Sequence, residues 1–199
     1  MINSKQTIKK TLLEETQGVL PFIDEISRKF NLKDELKNFI QKFIEESECK
    51  KIEFASFKMP VLGLALHDVV LINKFALNNK LEMLLFVVFH EIAHQYQFKK
   101  YGEKYMYDVY MGEHSNQDAA VFMKNTEEVA DEFAAKKIRQ LQKLGLIDKN
   151  FKSPQMYKNT SLNQIIQMVT HYRSEIKKRN IQSPSQISEF FYNMVKDEL

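Results

Sequence analysis

The sequence predicts an α+β protein that is mostly helical and contains a small antiparallel sheet. Apolar residues recur at helical spacing through most of the chain, while three short runs between residues 51 and 73 are rich in β-branched and aromatic residues. Gly and Pro number only 5 and 4 in 199 residues, so flexible linkers are not expected. We therefore expect one domain over residues 1–199, with a core at about 51–144 and helical additions at 1–48 and 160–199.

Two amphipathic helices are expected ahead of the sheet. Pro21 to Phe30 and Leu32 to Ser47 place their apolar residues on one side of each helix, and Asn31 separates them. We expect both helices to cover a face of the sheet.

The sheet is predicted from three extended segments. They are KIEFASF at Lys51–Phe57, VLGLALH at Val61–His67 and VVLIN at Val69–Asn73. An edge strand beside an active site can pair with the backbone of an extended peptide, and we predict Val69–Asn73 for this role. The alternative is that Val69–Asn73 is simply a core strand.

The segment Asn79–Tyr101 carries the motif HEIAH inside a stretch without Pro or Gly, whose apolar residues follow the spacing of a helix buried along one side. Residues four apart share a helix face, so His90 and His94 can reach one metal ion. Glu91 lies on the adjoining edge, where it can act as the general base on a water molecule. A helix with two chance histidines is the alternative, which the fit of the whole segment to a buried helix disfavours.

A catalytic metal site needs a third protein ligand, and the segment NTEEVADEFAAKKIRQL offers one. Glu127 and Asp131 lie one turn apart on a second predicted helix, with Asn125 or Thr126 available to cap its start. Asp131 would accept the second ring N–H of a ligating histidine. Glu128 is the competing ligand. Without the HEIAH helix, this segment would be interpreted as a solvent-exposed acidic face of a helix.

Together, HEIAHQYQ and the later EEVADEFA resemble the small gluzincin-type metallopeptidases of the ImmA/IrrE kind, over roughly residues 51–144. The resemblance implies a zincin-type fold and one zinc ion bound by His90, His94 and Glu127. It also implies that Glu91 is the base, that Asp131 supports a ligand, and that the substrate is another protein. The Tyr- and Met-rich insertion between the two motifs is not part of the resemblance.

Hydrolysis of an amide also needs a donor that stabilises the oxyanion. His114, which lies beside Gly112 and Ser115, is our first choice for this catalytic role. The motif helix is also similar to that of the SprT-like proteases, whose third ligand is a histidine, so His114 is in addition an alternative metal ligand. Further oxyanion candidates are Tyr105, Tyr107, Tyr110, His171, Tyr172 and Arg173.

Two more helices are expected towards the end of the sequence. The first begins after a capping box formed by Ser161 and Gln164, and the second begins near Pro184 after a capping serine at position 183. An apolar stripe on the second helix is predicted to pack in the core, with a docking surface as the alternative. Its members are Ile187, Phe190, Phe191 and Met194.

Composition limits the partners that we expect. The 29 basic and 26 acidic residues give a net charge of +3, too small a balance to predict nucleic-acid binding, although the later part of the chain is more basic. Cys49 is the only cysteine, which excludes an intrachain disulfide and thiolate zinc sites. We find no secretory signal or membrane span and expect a cytoplasmic protein without a membrane partner.

Two functional classes follow from these observations. The preferred one is a zinc-dependent metallopeptidase that cleaves a protein or peptide substrate. The alternative is a non-catalytic scaffold of the same fold that binds a regulatory protein or nucleic acid.

Overall fold

The computed structural model describes residues 19–47, 49–57, 61–112 and 114–195. Residues 1–18 and 196–199 of the expected helical additions fall outside this part of the chain. The side chain of Tyr105 also lies outside it. The described residues confirm a mostly helical α+β fold.

The first two helices are those that the sequence predicts. Helix α1 spans Leu20–Phe30 and helix α2 spans Asp34–Glu46. Asn31 separates them in the left-handed region at φ 50°, a conformation that asparagine tolerates better than most residues. Phe22 of α1 stacks on Phe54 of the sheet with ring centroids 4.6 Å apart, so this helix does cover the sheet.

The sheet has three strands in the order β1-β3-β2. Strand β1 spans Lys51–Ala55, β2 spans Gly63–Ala65 and β3 spans Val69–Asn73. Strand β3 is antiparallel to β2 but parallel to β1, so the expected antiparallel sheet is in fact mixed.

The prediction that Val69–Asn73 is the edge strand is wrong. Strand β3 pairs on both sides and is buried from position 70 to position 73, which explains its nearly continuous apolar sequence. Strands β1 and β2 lie at the two edges of the sheet instead.

Helix α3 spans Leu81–Tyr101 and ends at Gly102, as the sequence predicts. Gly102 has φ 83°, a value that favours glycine. The expected burial along one side is wrong, because burial is continuous from Leu84 to Ala93. Helix α3 packs against the sheet on one side and against a long helix, α5 (Asn116–Lys143), on the other.

The Tyr- and Met-rich insertion between the two motifs forms a short helix, α4 (Glu103–Met111), and the first turns of α5. Helix α5 therefore begins well before the predicted caps at Asn125 and Thr126. Ser115 caps it by accepting a hydrogen bond from the backbone N–H of Asp118 at 3.0 Å. The segment 116–143 contains neither Gly nor Pro, so nothing interrupts the helix upstream of the acidic motif.

The last two helices follow the predicted capping signals. Helix α6 spans Leu162–Lys178 and begins at a capping box between Ser161 and Gln164. Helix α7 spans Pro184–Val195. Its apolar stripe is largely buried, in a second hydrophobic cluster that includes Leu66 and Phe98, so core packing is confirmed for this helix. Within the described residues, no helix combines the length and apolar character needed to cross a membrane.

Candidate metal centre

The two motif histidines lie one turn apart on α3 and direct the same nitrogen inward. Nε2 of His90 and Nε2 of His94 are 3.2 Å apart. His90 is 3% exposed, because the apolar residues before it carry this part of the helix into the core. The local helix geometry thus brings two imidazole donors to one point.

Helix α5 supplies a carboxylate to the same point. Oε2 of Glu127 lies 3.0 Å from Nε2 of His90 and 3.4 Å from Nε2 of His94. The ligand atoms of the three residues all lie within 4.8 Å of one another. Glu128, the competing ligand, instead forms an ion pair with Lys124 at 2.9 Å.

Each imidazole is held through its outer nitrogen. Nδ1 of His90 lies 3.0 Å from Oδ1 of Asp131, the partner that the sequence predicts. Nδ1 of His94 lies 2.8 Å from Oε1 of Gln97, which the sequence reasoning did not single out. Gln97 lies three residues after His94, so the i,i+3 neighbour on the same helix face was the signal that could have found it.

The orientation of the Gln97 amide is set by a second contact. Its Nε2 donates to the backbone carbonyl of Thr126 at 2.8 Å, so its Oε1 must face His94 as an acceptor. His94 then donates from Nδ1 and presents the lone pair of Nε2 to Glu127. The same side chain therefore connects α3 to the residue that precedes Glu127 on α5.

This donor set fits a divalent cation. If both imidazoles are neutral and Nδ1 of His90 donates to Asp131, both Nε2 atoms direct lone pairs at each other and at the carboxylate oxygen of Glu127. Three converging acceptors repel one another unless a cation or a proton lies between them. Two imidazoles and one carboxylate are also the ligands of several catalytic zinc sites.

The pKa values of His90 and Glu127 are shifted because these side chains lie close together. Burial opposes protonation of His90, but its hydrogen bonds to Asp131 and Glu127 outweigh that effect and raise its pKa to about 10. Burial raises the pKa of Glu127, but the nearby His94 and the hydrogen bond from His90 lower it well below its usual value. The protein therefore favours a positive charge at this point and an ionised carboxylate beside it.

Glu91 lies next to the three donors but outside their triangle. Burial is the main cause that raises its pKa, and the nearby histidines partly offset the shift. The backbone N–H of Ala65 in strand β2 also lowers the pKa of this carboxylate by a smaller amount. A Cβ atom on Gly63 would lie 2.5 Å from Cγ of Glu91, so the glycine allows the strand to approach the carboxylate.

Strand β2 also presents backbone groups towards the cavity beside Glu91. Leu66 and Val69 exchange two backbone hydrogen bonds, of 2.8 and 3.3 Å. Bonded pairs alternate along an antiparallel ladder, so the backbone groups of Gly63 and Ala65 point away from β3. Both residues line a cavity that contains His90 and Glu91.

A tyrosine that the sequence reasoning missed lies in this cavity. Tyr157 belongs to the loop between α5 and α6, and its ring lies parallel to that of His90 with centroids 6.2 Å apart. Its backbone N–H donates to Oδ2 of Asp131 at 3.1 Å, so one carboxylate holds both the tyrosine and His90. Glu127 and burial raise the pKa of Tyr157, which keeps its hydroxyl protonated. No local pattern marks a loop tyrosine of this kind.

The remaining oxyanion candidates differ in whether they line the cavity. His114 is exposed and is not part of the cavity wall, so its predicted roles as oxyanion donor and as ligand have no support in this geometry. His171 lines a different groove, next to α7. Arg173 donates to the carbonyls of Val109 and His114. The cavity retains Tyr107, which bonds to the hydroxyl of Ser188, together with Tyr110, Tyr157 and Tyr172.

No family model, no curated protein and no solved structure matches this chain. The resemblance to ImmA/IrrE metallopeptidases therefore stays a prediction. The buried group of two histidines and one glutamate is the main structural support for a functional assignment.

Proposed function

We propose that this protein is a zinc-dependent metallopeptidase that hydrolyses a peptide bond in a protein substrate. His90, His94 and Glu127 hold the ion and Glu91 is the general base. The observation that carries the proposal is the convergence of three donor atoms within 4.8 Å, beside a buried carboxylate and an accessible cavity. Zinc accounts for this donor set better than magnesium or calcium, which prefer oxygen ligands.

When bound, the zinc ion supplies a Lewis acid that polarises a carbonyl and lowers the pKa of a water molecule. Glu91 receives the proton of the attacking water and delivers it to the leaving amine. Its raised pKa suits both steps, because the carboxylate is a stronger base than an exposed glutamate and a usable acid afterwards.

The edge of strand β2 positions the substrate. The backbone groups of Gly63 and the carbonyl of Ala65 point away from β3, and both residues line the cavity, so an extended peptide can pair with them beside Glu91. Pairing of this kind requires an unfolded or flexible substrate segment. The protonated hydroxyl of Tyr157 is the donor that we assign to the oxyanion.

The test compares wild-type protein with Glu91→Gln after loading with zinc. We expect both proteins to bind about one zinc ion per chain, measured by elemental analysis. Only the wild type should cleave fluorescently labelled unfolded casein or a mixed library of quenched peptides, with a loss of at least about 100-fold in the variant. A chelator should abolish the wild-type rate, and added zinc should restore it.

Two results would overturn the proposal. One is a wild-type protein that does not bind zinc, and the other is equal cleavage by wild type and Glu91→Gln. Equal cellular effects of the two proteins would favour the scaffold instead. If the proposal holds, trapping of bound proteins with Glu91→Gln followed by mass spectrometry would identify the substrate.

A further inference from the structure

The cavity beside the metal centre has a second wall that the proposed chemistry does not use. The cavity volume is about 190 Å³. Four helices each contribute one methionine to this wall, from α4, α5, α6 and α7 in turn. These residues are Met106, Met123, Met168 and Met194.

Three aromatic rings complete the apolar wall. The rings of Tyr110 and Phe191 lie 4.9 Å apart, and the ring of Tyr172 lies 5.4 Å from Phe191 and 6.0 Å from Tyr110. They join α4, α6 and α7 into one surface facing the cavity. The Tyr- and Met-rich insertion therefore forms part of this wall, through helix α4.

The wall formed by these methionines and aromatic rings carries no charged side chain. Among the described residues that line the cavity, the side chains able to carry a full charge near neutral pH all belong to the metal centre. They are His90, Glu91, His94 and Glu127. A lysine, arginine or aspartate of a ligand would find no partner of opposite charge on the apolar wall, and its desolvation would be costly.

The volume limits what can enter. An apolar cavity of about 150 Å³ holds one benzene molecule, so this cavity has room for one large side chain and the adjoining backbone. It is too small for a folded element. Methionine side chains are unbranched and polarisable, and a wall built from them adapts to occupants of different shape.

We propose that this wall is the specificity pocket for a single large apolar side chain, of the size of leucine, methionine or phenylalanine, next to the cleaved bond. The inference rests on the proposed function and adds the substrate class: an extended polypeptide segment with such a residue at the scissile position. The pocket should therefore accept large apolar side chains of different shapes and exclude charged ones.

The test measures binding rather than turnover. The probes are the hydroxamates of N-acetyl leucine, phenylalanine, alanine and glutamate, titrated calorimetrically into the zinc-loaded protein. The hydroxamate binds the ion in every probe, so differences in affinity report the side chain. We expect the leucyl and phenylalanyl probes to bind at least about tenfold more tightly than the alanyl probe, and the glutamyl probe no more tightly than alanyl.

A matched pair of variants locates the effect. Met168 lines the cavity and Met156 does not, yet they are 37% and 36% exposed. Met168→Gln should reduce the preference for the leucyl over the alanyl probe at least about threefold, because it places an amide in the apolar wall. Met156→Gln should leave the preference unchanged.

The outcomes separate this inference from the proposed function. Equal affinity for all four probes, or an unchanged preference in Met168→Gln, overturns the pocket alone. Failure of every probe to bind overturns the pocket together with the metal centre. Apolar selectivity in a protein that cleaves no peptide supports the pocket and counts against the peptidase.

Discussion

Asp131 of helix α5 accepts a hydrogen bond from Nδ1 of His90 on helix α3, with Oδ1 at 3.0 Å. Its other oxygen accepts the backbone N–H of Tyr157 at 3.1 Å. One buried carboxylate thus orients an imidazole and anchors the loop that carries a cavity tyrosine. An amide in its place can serve one of these donors as acceptor but presents an N–H to the other.

Asp131→Asn should therefore weaken zinc binding by about 10- to 100-fold, the range typical of partners that orient a ligating histidine. The dissociation constant can be measured by competition with a chromogenic chelator. The control is Glu132→Gln, because Glu132 is the exposed neighbour on the same helix and should retain wild-type affinity. Equal affinities in the two variants would contradict the role of Asp131.

Gln97 should contribute to both zinc affinity and stability, through separate atoms. Its Oε1 accepts from His94 and its Nε2 donates to the carbonyl of Thr126. Gln97→Leu removes both contacts, so we expect a loss of about tenfold or more in zinc affinity. The free energy of unfolding of the metal-free protein should fall by about 0.5–1.5 kcal/mol, because the carbonyl of Thr126 loses its side-chain donor and keeps only the backbone donor of its own helix.

Gln97→Glu is the variant that separates the two effects. The carboxylate still accepts from Nδ1 of His94 but cannot donate to Thr126. We expect zinc affinity nearer to wild type than in Gln97→Leu, together with a similar loss of stability in urea unfolding. A Gln97→Glu protein that binds zinc as weakly as Gln97→Leu would argue against orientation of His94 as the cause.

Gly63 should be required for catalysis but not for metal binding. A Cβ atom at this position would lie 2.5 Å from both Cγ and Oε1 of Glu91, so Gly63→Ala must displace the carboxylate or the strand. We expect peptide cleavage to fall by about 100-fold while the zinc dissociation constant changes little, because Glu91 is not a ligand.

A double variant checks the physical cause. Glu91→Asp shortens the side chain, so adding Gly63→Ala to it should cost much less than adding Gly63→Ala to wild type. Full additivity of the two losses would mean that Gly63 acts elsewhere, for example on the pairing of β2 with β3.

The buried thiol of Cys49 should lower the free energy of unfolding at alkaline pH. Burial is the main cause that raises the pKa of its thiol from 9.0 to about 11, and the sulfur also contacts the carbonyl of Lys51 at 3.2 Å. The folded state therefore retains a proton that the unfolded state loses. The associated stability is complete below pH 9 and is lost as the pH rises towards 11, by about 2–3 kcal/mol in total.

Chemical unfolding of wild type and Cys49→Ala at several pH values between 7 and 11 measures this contribution. Other groups titrate in the same range, but they do so in both proteins and cancel in the difference. The stability difference should shrink or reverse as the pH rises. A difference independent of pH would contradict a buried, protonated thiol.

Much of the fold followed from local patterns. The end of α3 at Gly102, the capping box at Ser161 and the break at Asn31 are encoded within a few residues, and the structure confirms all three. The strand segments were recognised but not their order, because pairing depends on contacts between distant parts of the chain. The parallel pair β1 and β3 and the edge position of β2 could not be read from a pattern of β-branched residues.

The sequence by itself determined that His90 and His94 share one face of a helix, since an i,i+4 spacing needs only the geometry of that helix. Tertiary packing decided which acidic side chain of α5 meets them, because a rotation of that helix would have presented Glu128 in place of Glu127. It also decided that Tyr157 enters the cavity and that His114 stays outside. Both lie in connecting segments whose positions depend on the helices that they join rather than on their own residues.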